Sequence, residues 1–162
     1  MTDTVSSGPA AASSSDDRNM AMLGYALLFT APFFAGLTAI AAVALAYIRR
    51  PEAEAVTRTH YGYQIKVFWI GFALALLTGV AFVTGVGVLF GDFVRVATNG
   101  GQGWDAWDVA GIDESDFHLR PVSLVSFLAA LGLGLLTSLW LIAASVVGLI
   151  RLGAHRPMGR AG

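Results

Sequence analysis

The chain contains no cysteine, which excludes disulfides, thiolate nucleophiles and cysteine-ligated metal centres. Charge is scarce as well: Asp, Glu, Lys and Arg make up 13% of 162 residues, about half the ~25% of an ordinary soluble domain. A net charge of −1 offers no concentrated basic face, so nucleic acid is not expected as a partner. More telling is where charge is missing altogether. Residues 22–48, 67–89 and 122–150 hold no Asp, Glu, Lys, Arg or His. Proton relays, voltage sensors and ion-coupled transport need such groups inside the bilayer, and hydrolysis there needs a base or metal beside its nucleophile. No catalytic, cofactor-binding or metal-ligating residue is therefore expected, and the chain does not read as an enzyme.

What is present is apolar: 56% of residues are hydrophobic and the mean hydropathy is +0.66. Each uncharged block exceeds the ~20 residues that a helix needs to cross ~30 Å of hydrocarbon. Nothing amphipathic remains to wrap a buried soluble helix. The expectation is an all-α integral membrane protein with three transmembrane helices at about 22–48, 67–89 and 122–150, in contact with the lipid bilayer. Residues 1–20, rich in Ser, Ala and Asp, read as a disordered polar tail. The membrane domain is expected over 21–151, with an acidic outer loop at 90–121 and a basic C-terminal tail at 152–162.

Basic residues set the expected orientation. The first connection carries Arg49, Arg50, Arg58 and Lys66, and the C-terminal tail Arg151, Arg156 and Arg160. With three spans these fall on one side, against Arg18, Arg95 and Arg120 on the other, and the positive-inside rule then predicts N-terminus out and C-terminus in. The first connection also suggests a short interfacial helix before the second span. Pro51 suits a first helical position, Glu52 and Glu54 complement the dipole, Glu54 and Arg58 form an i, i+4 pair, and Gly62 offers a joint. Tyr61, Tyr63, Phe68 and Trp69 supply an aromatic belt from which Lys66 can snorkel. His60 and Gln64 share a helix face, with Gln64 placed for an interhelical hydrogen bond and His60 one turn further out, within reach of water.

Small residues recur every four positions at Ala31, Ala35 and Ala39, at Gly71, Ala75 and Gly79, and at Ala130, Gly134 and Ser138. Such faces let helices pack closely, within the chain or against a partner. Pro32 is expected to kink the first span. In the outer loop, Trp104 and Trp107 can rest on the membrane while Asp105 and Asp108 face water. Asp113, Glu114, Asp116 and His118 lack the spacing and turn glycine of an EF-hand, so they read as a solvated acidic loop.

The stretch THYGYQIKVFWIG at 59–71 resembles the SHYxFQIRTFWIG-type start of the second span in small bacterial three-span inner-membrane proteins. These form a domain-of-unknown-function family, distantly grouped with the Tic20-like component of the chloroplast inner-envelope import machinery. The matching positions are His60, Tyr61, Gln64, Ile65, Lys66, Phe68, Trp69, Ile70 and Gly71, and Trp140, Gly148, Leu149 and Pro157 resemble the family's third span and its exit. The family's arginine near Ala144 is absent, and the outer loop is longer. The resemblance implies a multi-pass protein of the bacterial cytoplasmic membrane and no defined chemistry. Two functional classes follow: a non-enzymatic protein that assembles with itself or within a larger membrane complex, or a pore-forming or protein-translocation-associated subunit.

Overall fold

A computed structural model describes residues 9–99 and 121–159. It is all-α, with four α-helices among the described residues: α1 (Pro9–Thr30), α2 (Leu37–Arg49), α3 (Ala55–Asn99) and α4 (Pro121–Gly153), and a 3-10 turn, Ala31–Phe34, between the first two. Two of these, α3 and α4, are long and apolar enough to cross a membrane. Cα packing divides the chain into two units, Met1–Ala73 with Leu136–Gly162, and Leu74–Leu135. α3 and α4 each contribute to both.

In the first unit, residues 22–48 are not the single kinked span expected from their composition. They form two antiparallel helices. Pro32 cannot donate to the preceding turn and ends α1, and the chain reverses through Ala35 (φ 50°) and Gly36 (φ 82°), both left-handed. The Gly36 amide closes this turn on the Ala31 carbonyl at 2.8 Å. Near the tip the Thr30 and Thr38 hydroxyls lie 3.4 Å apart, and at the open end Arg49 meets Asp17 at 3.9 Å. The inner face consists of Tyr25 and Leu28 from α1, Ala31 from the 3-10 turn, and Ala39, Ala42, Val43 and Ala46 from α2, all buried. The small α2 residues admit α1 at close range, whereas Ala35 is exposed at the turn. At 13 residues, α2 extends ~20 Å at 1.5 Å per residue, short of the ~30 Å of a hydrocarbon core.

Three further expectations change. Residues 9–20 are helical rather than a disordered tail, held by contacts that Asp17 and Arg18 make with the rest of the unit; residues 1–8 lie outside the described residues. No separate interfacial helix precedes the second span: 50–54 is a turn, and α3 runs unbroken from Ala55 through Gly62. Arg58 stabilises that turn by donating to the carbonyls of Pro51 and Ala53, at 3.2 and 3.1 Å, so its guanidinium is drawn to carbonyl oxygens that the turn leaves without helical donors. Finally, α3 extends to Asn99, beyond the expected loop boundary at 90. Trp104, Asp105, Trp107, Asp108, Asp113, Glu114, Asp116 and His118 lie outside the described residues.

In the second unit α3 and α4 pack antiparallel. Phe82 and Phe127 meet edge to face, with ring centroids 5.9 Å apart, over Gly85, where a Cβ would press on the Phe127 ring at 3.3 Å. A Cβ at Gly134 would touch the Thr78 methyl at 3.7 Å, and Ala130 is buried. The Thr78 and Thr84 hydroxyls donate to the carbonyls four residues back, leaving no unsatisfied donor toward an apolar medium. Ala75 and Gly79 do not join this seam: both are exposed, and a Cβ at Gly79 would meet nothing within 4 Å. Large apolar side chains, among them Leu76, Val80, Val83, Phe90, Leu128 and Leu131, are more than half exposed around the pair.

Candidate functional site

The polar residues at the start of α3 converge with α1 and the segment after α4 at one end of the first unit. α3 places His60 and Gln64 on one face, four residues apart. Both are fully buried, as are Tyr61 beside them and Tyr25 opposite. The Tyr25 hydroxyl lies 3.0 Å from His60 Nδ1, and His60 Nε2 lies 3.0 Å from the Arg156 carbonyl. A carbonyl only accepts, so Nε2 carries the proton and Nδ1 accepts from Tyr25. This pattern suits the neutral imidazole. His60 sits on the polar side of the apolar stretch 67–89.

Around this pair three more bonds tie the same elements. Gln64 Nε2 donates to the Ala21 carbonyl at 2.8 Å, the Tyr61 hydroxyl donates to the Asp17 carbonyl at 3.1 Å, and the Met158 amide donates to the Thr59 hydroxyl at 3.0 Å. On the outside, Arg18 donates to His155 Nε2 at 3.0 Å. Two glycines permit the close approach. A Cβ at Gly24 would lie 2.6 Å from Gln64 Oε1, and one at Gly148 would overlap the Tyr25 ring. Lower in the unit, Gly71 packs on Leu141, Trp140 donates to the Val67 carbonyl at 3.3 Å, and exposed Trp69 donates to the Tyr47 hydroxyl at 3.2 Å.

The expectation that water reaches His60 is overturned. The C-terminal segment folds back over it, and Met158 on Thr59 fixes that fold-back. Sequence reasoning also missed Tyr25, Gly24 and the Arg156 carbonyl, and singled out Gly148 only as a family-like position without its contact to Tyr25, because each acts through partners distant in the chain. A tyrosine hydroxyl on an imidazole could in principle exchange protons. Tyr25 and His60 present no surface to a substrate, however, so the arrangement holds three chain segments together.

The chain matches no protein family model, no curated protein and no solved structure.

Of the remaining residues singled out in the sequence, Lys66 is exposed beside the buried cluster, Gly71 lies in the α3–α4 contact of the first unit, and Ala130 and Gly134 lie in that of the second. Ser138 is half-buried.

Proposed function

We propose that the chain is a two-span protein of the bacterial cytoplasmic membrane that acts by assembly, with itself or within a larger membrane complex, and has no catalytic activity. The observation that carries this reading is the outward apolar surface of α3 and α4. A core helix of a soluble protein buries such side chains, whereas here Leu76, Val80, Val83, Phe90, Leu128 and Leu131 are exposed, a surface suited to lipid. The α1–α2 hairpin is then a re-entrant element that enters and leaves on one side. The buried cluster of Tyr25, His60 and Gln64 is a latch at the polar boundary.

This topology replaces the N-terminus-out arrangement. Asp17 and Arg18 sit with Arg49, Tyr61 and His155, so the start of α1, the 50–54 turn and the segment after α4 share a side. Every Lys and Arg except Arg95 and Arg120 then faces the cytoplasm, a sharper bias than three spans allow. Membership of the small inner-membrane family suggested by 59–71 belongs to the same proposal, with His60, Tyr61 and Gln64 as its latch residues.

Assembly is assigned to the open small-residue face of α3 at Ala75 and Gly79. Because a Cβ at Gly79 meets nothing within 4 Å among the described residues, Gly79→Leu should leave the monomer folded and remove only close helix approach by a partner. In native mass spectrometry from nanodiscs, the wild type is expected as an oligomer or with one constant co-purifying protein. Gly79→Leu is expected to lower that fraction severalfold, and Leu77→Ala to leave it unchanged. Equal behaviour of the two variants would remove this face from the proposal.

A further inference from the structure

The outer side of the same polar end carries a cavity of about 450 Å³, lined by Arg50, Arg58, Lys66, Tyr63 and Thr59 over a floor at Gly62. The geometry points to a binding site for a phosphate group, supplied by an anionic phospholipid headgroup or by free phosphate.

Three cationic side chains reach the cavity and no carboxylate lines it. They arrive from different places. Arg50 follows the last residue of α2, Arg58 stands on the first turn of α3, and Lys66 stands two turns further along the same helix. Two of them are set in position. Arg58 is anchored through one terminal nitrogen to the Pro51 and Ala53 carbonyls, which leaves its other donors for a ligand. Arg50 lies across Gly62, where a Cβ would come within 4.0 Å of its Nε. Among the described residues Arg50, Arg58 and Lys66 make no ion pair, the nearby pair being Arg49 with Asp17, so the three cations of the cavity are not neutralised by a carboxylate contact. Guanidinium pairs bind phosphate oxygens through paired, charge-assisted hydrogen bonds, and an ammonium adds a point charge.

Position supports the same ligand. Lys66 immediately precedes the apolar stretch that begins at Val67, and Arg50 follows the one that ends at Ile48. Exposed Tyr47 and Trp69, hydrogen-bonded to each other, mark the boundary where aromatic side chains favour the headgroup layer. Basic pockets at that depth suit anionic headgroups. The lipid source rests on the membrane reading above, whereas binding of inorganic phosphate does not.

The test uses full-length protein in a neutral detergent, titrated with phosphatidylglycerol, with phosphatidylcholine and with inorganic phosphate, and read by native mass spectrometry. Phosphatidylglycerol is expected to bind saturably with one lipid per chain, and phosphatidylcholine to bind at least about tenfold more weakly. Arg58→Gln with Lys66→Gln should lower phosphatidylglycerol affinity by at least about tenfold, the scale of one or more charge-assisted bonds. Gly62→Leu keeps every charge and fills the floor, and it should do the same. Competition by millimolar inorganic phosphate would assign the site to free phosphate; binding of the lipid without such competition would assign it to the headgroup. If Gly62→Leu binds like wild type, or if Arg151→Gln, outside the cavity, weakens binding as much as the double substitution, attraction is by net charge and the site is refuted. Absence of saturable binding by either probe refutes it too.

Discussion

Gly148→Ala is expected to lower the melting temperature of the detergent-solubilised protein by several degrees, although alanine is the better helix former by about 1 kcal/mol. A Cβ at this position would overlap the Tyr25 ring. The ring cannot swing away without losing its hydroxyl contact to His60 at 3.0 Å, so α1 or α4 must move. Overpacking of this kind costs about 1–3 kcal/mol, which outweighs the propensity gain. Gly132→Ala is the matched control in the same helix: nothing lies within 4 Å of its Cβ, and it should be neutral or slightly stabilising. Similar melting of the two variants would mean that α1 does not approach α4 as closely as Tyr25 and Gly148 require.

His60→Leu should be the more damaging substitution within the latch, and Gln64→Leu the milder. Leucine at 60 leaves the buried Tyr25 hydroxyl unpartnered, at about 1–3 kcal/mol, and also takes the donor from the part-buried Arg156 carbonyl. At 64 only the Ala21 carbonyl loses its donor, and the substitution also removes Gln64 Oε1, which is buried without a partner. The readout is protection of the segment after α4 from carboxypeptidase in detergent, because His60 holds the Arg156 carbonyl directly. Protection should fall in His60→Leu, stay closer to wild type in Gln64→Leu, and fall in Tyr25→Phe by less than in His60→Leu. A double substitution of Tyr25 and His60 that behaves as the sum of the singles would show that the two side chains act independently.

That ranking reverses the expectation from sequence, and the reason is physical. Periodicity placed His60 and Gln64 on one face of one helix, which holds. It could not show that residues 155–158 fold back over that face, since the contact between His60 and the Arg156 carbonyl spans 96 residues. α4 was legible within a few residues because an uncharged run of that length has one low-energy form in lipid. The hairpin was not, because composition cannot separate a 27-residue span from two short antiparallel helices. Pro32 suggested a kink; only together with the left-handed pair Ala35 and Gly36 does it reverse the chain. Small-residue spacing was equally ambiguous. Ala31 and Ala39 pack inside the hairpin, while Ala75 and Gly79, with the same spacing, face outward.

The re-entrant hairpin is the claim on which orientation, latch and headgroup-level cavity all depend, and the absence of native cysteine makes it directly measurable. Single cysteines at Ser7, Ala55 and Ala106 would be treated in intact cells with a membrane-impermeant thiol reagent. With the hairpin entering and leaving on the cytoplasmic side, Ser7→Cys and Ala55→Cys should be protected until the cells are permeabilised, and Ala106→Cys should be labelled at once. Labelling of Ser7→Cys in intact cells, with Ala55→Cys still protected, would mean that residues 22–48 cross the membrane as a single span and would contradict the hairpin.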